Sequence, residues 1–342
     1  MKKRICIIYT GGTIGMVPSE NGYIPNSRSF LENLQAIPDL RDPEMPDWEV
    51  VEFSPLLDSS NIAVHEWNEI GRAIADRYEL FDGFVVLHGT DTMAYSASAV
   101  SFMLEHLSKP VIFTGAQIPL CQMRSDGREN IINSIVIAAS GQVHEVCIYF
   151  NGMLLRGNRC VKRSSDQFGA FESPNYPALA HAGIEIQYQH SAMLPLQSGQ
   201  MRFQTFQALP IGVVKVFPGI QFQLFESIMT DKLKGVVLET FGAGNIPSAE
   251  QNALLPIIQK AYQSGTIITV CSQCTQGAVS LGTYATSKAL HDIGAVNGGD
   301  MTTEAALTKL YYLFSLGLEK EKIKEMMQQD LRGERTESGE GI

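Results

Sequence analysis

An α/β architecture of two domains, the larger N-terminal one built on a parallel sheet and the smaller C-terminal one also α/β, is the fold class this sequence predicts. Three observations predict it. The chain has 342 residues, and about 150 residues per domain divides it in two. Short apolar, β-branched runs recur at wide intervals, and near-continuous apolar character marks strands buried on both faces. Helix-length segments lie between these runs, which argues for right-handed βαβ units.

In chain order, the strand candidates are Ile5–Tyr9, Gly83–Leu87, Val111–Thr114 and Val146–Phe150 in the first domain. Gly212–Phe217, Gly235–Glu239 and Thr266–Cys271 follow in the second. The helical candidates between them are His65–Tyr78, Ala94–Leu107, Arg128–Ala139 and Ala249–Ser264. The last begins on a capping-box pattern, Ser248 with Gln251, and stops at Gly265. Two further helices, Thr303–Leu316 and Lys320–Asp330, close the second domain. The polar tail Arg332–Ile342 is expected to fray. Between Gln187 and Pro210 the chain becomes Gln-rich and loses any period, as an interdomain connection or an irregular strand pair does. The expected division is a first domain over residues 1–190, a linker over 191–210 and a second domain over 211–342.

Apolar residues make up 44% of the chain and charged residues 18%, a globular usage that excludes a disordered or fibrous protein. With 26 Lys+Arg against 36 Asp+Glu the formal net charge is −10. Phosphate backbones repel such a chain, so no nucleic-acid partner is expected. The basic start Lys2-Lys3-Arg4 is followed by a short apolar run, Ile5–Tyr9, whereas a secretory core needs about 7–15 apolar residues. No stretch approaches the ~18 needed to span a bilayer. A cytoplasmic protein without membrane attachment is expected, its six cysteines reduced and mostly buried.

Ligands of open α/β sheets sit beyond the carboxyl ends of the strands, and this singles out four loops. Thr10-Gly11-Gly12-Thr13-Ile14-Gly15 follows the first strand and His88-Gly89-Thr90-Asp91-Thr92 the second. Thr114-Gly115-Ala116-Gln117 follows the third, and Arg156-Gly157-Asn158-Arg159, with Lys162 close by, comes after the fourth. Together they hold hydroxyls beside glycines, a carboxylate and an ammonium, enough for a hydroxyl nucleophile with an activating group. Each loop alone has a plainer reading. Gly11, Gly12 and Gly15 do not make a G-x-G-x-x-G cradle, and no Gly-Lys-Ser/Thr follows, which leaves a tight turn. Asp91 is a natural cap for a helix starting near Met93. Capping, however, does not call for Thr13 and Thr90 together with Lys162.

The segments Tyr9–Gly15 and Gly83–Met93 closely resemble the two signature segments of the bacterial-type L-asparaginase family. Asp58-Ser59-Ser60, Arg156-Gly157-Asn158 with Lys162, Gly242-Ala243-Gly244-Asn245 and Gly298-Gly299-Asp300-Met301-Thr302 follow in the family's order. The resemblance therefore spans essentially the whole chain. The absent leader and the Asp58-Ser59-Ser60-Asn61 form resemble the cytoplasmic, type I branch. What this implies is a flavodoxin-like N-terminal domain and hydrolysis of L-asparagine to L-aspartate and ammonia, with no cofactor and no metal.

The resemblance also implies roles. Thr13 is the nucleophile, forming a β-aspartyl ester that water cleaves. Tyr23, on the Gly/Pro-rich stretch Met16–Asn26, belongs to a lid and touches the nucleophilic hydroxyl. Thr90, paired with Lys162 and Asp91, forms the second hydroxyl group of the site. Whether Tyr23 or the Lys162–Thr90 pair is the base stays open. Asp91 holds the substrate α-ammonium, and Ser59 with neighbouring backbone holds the α-carboxylate. Asp58 and Ser60 complete that segment, Ser60 standing where secreted relatives often carry Gln. Backbone around Ala116 supplies a further hydrogen bond to the carboxamide end. Asn245 contributes across an interface from a neighbouring protomer, so a dimer, doubled to a tetramer, is expected.

His88 has no second His, Cys or carboxylate at ligand spacing, so it is read as orienting its loop, and no metal is implied. Cys271-Ser272-Gln273-Cys274 lacks the second pair a zinc site needs and is read as thiols without redox function. In type I relatives with an allosteric asparagine pocket this Cys-bearing loop, here with Cys274, helps line it together with an Arg and a Thr. Here Glu239 takes the Arg position and Val161 the Thr position. Losing a cation and a hydroxyl weakens capture of an effector carboxylate, so weak or absent activation by asparagine is expected.

Other readings share these residues. A glutaminase-asparaginase or D-amino-acid amidase uses the same machinery, and one methylene is worth only about 1–3 kcal/mol. The amidase subunit of a tRNA-dependent amidotransferase carries an additional N-terminal domain, whereas here the Thr-Gly-Gly-Thr segment starts at Thr10. A non-catalytic amino-acid sensor uses Thr13 for binding alone, and trapping an ester on Thr13 separates it from an enzyme.

Overall fold

The computed structural model describes residues 2–20, 22–247, 254–282 and 285–337. The chain divides into two compact units, Met1–Thr205 and Phe206–Ile342.

In the first unit, β1 (Arg4–Gly11), β2 (Asp47–Leu57), β3 (Gly83–Leu87), β4 (Val111–Thr114), β5 (Val146–Phe150), β6 (Met153–Arg156), β7 (Ala180–Ala182) and β8 (Ile186–Tyr188) form one sheet. Its order is β8-β7-β6-β5-β4-β3-β1-β2. From β2 to β5 neighbouring strands run parallel, and from β5 to β8 they run antiparallel. The apolar runs of β1, β3, β4 and β5 are the buried strands that the sequence predicts. β2 lies at the sheet edge, where its residues stay exposed or half-buried, so it carries no apolar run to mark it. β5 and β6 are joined by Asn151-Gly152, both at positive φ, the conformation of a tight hairpin turn.

The helices of this unit are α1 (Ser27–Gln35), α2 (Val64–Ala75), α3 (Met93–Met103) and α4 (Gly127–Ala139). α3 is buried along nearly all its length, which is why its apolar residues follow no single stripe. Met16–Ser19 and Gly22–Pro25 pair as a hairpin ahead of α1, whose N-terminus is capped by the Asn26 side chain. The Gln-rich stretch supplies β8, and Arg202–Phe203 pairs antiparallel with Leu104–Glu105.

In the second unit β9 (Ile211–Lys215), β10 (Gly235–Thr240), β11 (Ile267–Ser272) and β12 (Val296–Asn297) form a parallel sheet in that order. With them are α5 (Glu226–Asp231), α6 (Leu254–Gln263), α7 (Ala285–Ile293), α8 (Thr303–Ser315) and α9 (Lys320–Met327). The capping pair Ser248 and Gln251 lies outside the described residues. All six cysteines are free; Cys6, Cys147, Cys160 and Cys271 are buried, whereas Cys121 and Cys274 are exposed.

The tail is not frayed where it is described. Glu334 is fully buried in an ion pair with Lys309 of α8, and its carboxylate accepts the Arg332 amide at 2.6 Å. Thr336 donates its amide and its hydroxyl to Asp300 at 2.8 and 2.6 Å. The polar composition misleads because a buried carboxylate with a buried partner reads like a solvated one. Removing one partner leaves the other charge uncompensated, which costs about 3–5 kcal/mol. Glu334→Ala is expected to lower the free energy of unfolding by about that much in urea, while Glu337→Ala, on the surface, stays within ~0.5 kcal/mol.

Candidate active site

The site is assembled at the carboxyl ends of β1 and β3, where two glycines let three loops touch. Gly12 has φ 87°, and a Cβ on it would lie 2.5 Å from the Gly89 nitrogen. A Cβ on Gly89 would lie 2.4 Å from the Ser59 hydroxyl oxygen. Only glycine fits either position, and the loops bearing Thr13, Ser59 and Thr90 are thereby packed against one another. Thr92 fastens the arrangement by donating its hydroxyl to the Ser59 carbonyl at 2.7 Å. Thr10 does the same below it, donating to the Leu87 carbonyl at 2.9 Å.

Lys162 reaches this cluster from the short strand Val161–Lys162. Its Nζ donates to Thr90 Oγ1 at 2.8 Å and to Asp91 Oδ1 at 2.7 Å. The Asp91 carboxylate thus faces Lys162, and α3 begins after Thr92 with no side-chain cap. Lys162 is mostly shielded, at 19% side-chain exposure, and Asp91 is open at 64%, so one member of the pair faces solvent. The Thr13 hydroxyl makes no hydrogen bond among the described residues and stays half-buried in a one-turn 3-10 segment.

The Gln117 side chain joins this cluster, a contact that its loop sequence does not announce. Thr90 Oγ1 donates to Gln117 Oε1 at 3.2 Å, and Gln117 Nε2 donates to the Gln167 carbonyl at 3.1 Å. Asp126 holds the turn beneath, its carboxylate accepting the Gln117 amide at 3.0 Å and the Ile118 amide at 3.0 Å. The usable signal was Ser125-Asp126-Gly127 just ahead of α4, a helix-start pattern whose carboxylate caps a neighbouring loop instead.

The other expected site residues fall as follows. Ser59 is buried and Ser60 exposed; Asp58 caps the turn between them by accepting the Ser60 amide at 3.1 Å. Ala116 is buried beside the Gln117 turn. Tyr23 sits exposed on the hairpin, its hydroxyl accepting from Gln122 Nε2 at 3.2 Å, and among the described residues no hydrogen bond joins it to Thr13. Asn245 lies in the second unit in a tight turn that pairs with Phe241. Glu239 accepts the Thr303 hydroxyl at 2.6 Å, with Lys215 3.9 Å away. Cys274 is exposed in the same unit, while Val161, in the first, pairs with Glu172.

His88 is fully enclosed, edge-on to Phe113, with Nδ1 2.6 Å from the Gly89 carbonyl. A carbonyl accepts only, so Nδ1 carries the proton and the ring steers the loop backbone. Burial lowers the pKa from 6.5 to about 4, so the ring is neutral at pH 7. The unfolded chain therefore binds the extra proton first, and stability is lost as pH falls from 6.5 through about 4. Urea unfolding across that range should show a loss that is smaller in His88→Gln. Among the described residues no His, Cys, Asp or Glu cluster suits a metal ion, and no helix is long and apolar enough to cross a membrane.

Known proteins resemble this chain along nearly its whole length. The model "Asparaginase, N-terminal" matches residues 4–194, and "Glutaminase/Asparaginase C-terminal domain" matches residues 210–327. The chain is 46% identical over 335 residues to L-asparaginase 1 of Escherichia coli strain K12, covering 98% of each chain. It superimposes on L-asparaginase I from Vibrio cholerae with a TM-score of 0.91 at 43% identity, covering 98% of this chain and 100% of that one. The thermostable L-asparaginase from Thermococcus kodakarensis gives 0.89 at 29% identity, again covering 98% of this chain and 100% of that one. These likenesses make the chain an amidohydrolase by class. The chain belongs to the asparaginase family.

Proposed function

We propose that this protein hydrolyses L-asparagine to L-aspartate and ammonia through an ester on Thr13. The observation that carries the reading is the Lys162 ammonium within 2.8 Å of Thr90 Oγ1 and 2.7 Å of Asp91 Oδ1, in a loop whose Gly89 abuts Gly12, the residue before Thr13. Thr13 Oγ attacks the carboxamide carbon, its proton passes to the departing nitrogen, and the C–N bond breaks to release ammonia. Water then attacks the ester with Thr90 and Lys162 managing its proton, which returns to Thr13 as aspartate leaves. Asp91 takes the substrate α-ammonium, and the Asp58–Ser60 turn the α-carboxylate. Backbone around Ala116 serves the carboxamide oxygen. Tyr23 acts when its hairpin leaves Gln122 and closes over the substrate. The working unit is a dimer of dimers in which Asn245 of a neighbouring protomer completes the pocket.

Ammonia release measured over a wide range of L-asparagine, then of L-glutamine, tests this. Expected is release from asparagine at least about tenfold more efficient than from glutamine, the size of one methylene's discrimination. Equal rates favour the broader amidase, and no release with substrate bound favours a sensor. No sigmoidal rise is expected, because the Glu239 carboxylate, engaged by Thr303 and near Lys215, stands where an effector's α-carboxylate would need a free cation. A sigmoidal curve would overturn that part.

A further inference from the structure

A cavity lies in the first unit beside the strand pair that holds Lys162. Its volume is about 640 Å³, and it is lined by Asn151, Met153, Arg163, Gln167, Phe171 and Glu172 among others, a size ordinary for a small-molecule site. Arg163 Nη1 donates to Glu172 Oε2 at 3.2 Å, both side chains being partly exposed. The Ser173 hydroxyl, also in the lining, is buried with no partner. Tyr176 forms part of the wall, and its ring carries the guanidiniums of Arg156 and Arg159 at 4.4 and 4.9 Å, so that wall is backed by rigid, buried charge.

A partly exposed cation beside a partly exposed anion, with carboxamides and apolar walls, complements a ligand bearing both charges. An incoming carboxylate takes the Arg163 fork in place of Glu172, and an ammonium takes the Glu172 carboxylate so released. We infer that this cavity binds a small α-amino acid as its zwitterion and lowers turnover from there.

The coupling is carried by covalent and hydrogen-bonded neighbours. Phe171 and Glu172 pair antiparallel with Lys162 and Val161, and the Arg163 amide donates to the Ala170 carbonyl at 2.8 Å. The Gln167 carbonyl at the cavity rim anchors the Gln117 side chain that meets Thr90. A ligand that draws Glu172 off Arg163 therefore acts on the strand pair holding Lys162 and on the loop holding Gln117.

The turnover arm rests on the function proposed above; the binding arm does not. L-alanine, which has no amide to hydrolyse, is titrated calorimetrically into the full chain, and L-lactate, with a hydroxyl in place of the ammonium, is the control. Expected is saturable binding of L-alanine and none of L-lactate. Saturating L-alanine should lower kcat for L-asparagine about fivefold or more with KM unchanged, the scale of ordinary coupling between sites. Ala178→Phe removes the space and should abolish both effects while turnover without L-alanine persists; Arg163→Ala removes the charge and should abolish binding, while freeing Glu172 lowers turnover without L-alanine as the ligand does. Equal binding of L-lactate overturns the inference, as does an effect that survives both variants or is purely competitive with asparagine. Loss of asparagine hydrolysis with alanine binding intact counts against the enzyme reading alone.

Discussion

Thr13→Ala is expected to remove essentially all ammonia release from L-asparagine, by about 10⁶-fold, the scale on which hydrolases respond to loss of their nucleophile. The variant keeps its fold, because the Thr13 hydroxyl makes no hydrogen bond among the described residues and its loop is fixed by the Gly12–Gly89 approach and by backbone bonds such as Met16 N–H to the Thr13 carbonyl. The check has two parts. Mass spectrometry of acid-quenched protein mixed with substrate should find an aspartyl adduct on the parent chain and none on the variant. Thermal unfolding should agree between the two within a few degrees. Turnover within tenfold of the parent would assign the attack to another group, Thr90 being the next hydroxyl in reach of Lys162.

The second large effect is expected at Lys162. Lys162→Met should cut kcat by about 10²–10⁴-fold, the worth of a positioned proton-transfer group, with little change in stability. The asymmetry follows from exposure. Asp91, its ionic partner, is open to water, so the orphaned carboxylate is solvated, and an exposed ion pair contributes only about 0–1 kcal/mol. Lys162→Arg separates two roles. A guanidinium keeps the positive charge beside Asp91 but does not give up its proton in proteins, so it should fail to restore activity if Lys162 moves a proton. Steady-state kinetics with urea midpoints on the three proteins read both quantities.

Much of this was legible in the chain. The buried strands β1, β3, β4 and β5 and helix α3 are visible because an element enclosed on its faces must be apolar, and α2 and α4 because each buries residues at helical spacing; the loops after those strands carry Thr13, Thr90 and Asp91. Less visible were elements specified by a partner rather than by their own pattern. β2 is an edge strand with a polar outer side. β6 was announced by Asn151-Gly152, a turn signal that an eye set on apolar runs passes over. α1 is short and rich in polar residues, and its start depends on the Asn26 cap. Within the site, Gln117 and Asp126 matter through contacts made across the fold, to Thr90, Gln167 and a loop's own amides. The one local mark, the helix-start pattern at Ser125-Asp126, points to α4 rather than to the Gln117 turn that the carboxylate holds. The tail shows the opposite error, since Glu334 looks like a surface charge until Lys309 is found beside it.

The back-to-back glycines also say where this scaffold can be redrawn. Any library that varies position 12 or 89 must insert atoms where backbone or the Ser59 side chain already stands, so nearly every member is discarded before it meets a substrate. Ser60, by contrast, is exposed on a turn held by the Asp58 carboxylate and its own amide, so its side chain can vary without disturbing that turn. Diversity directed there explores new selectivity at little risk to assembly.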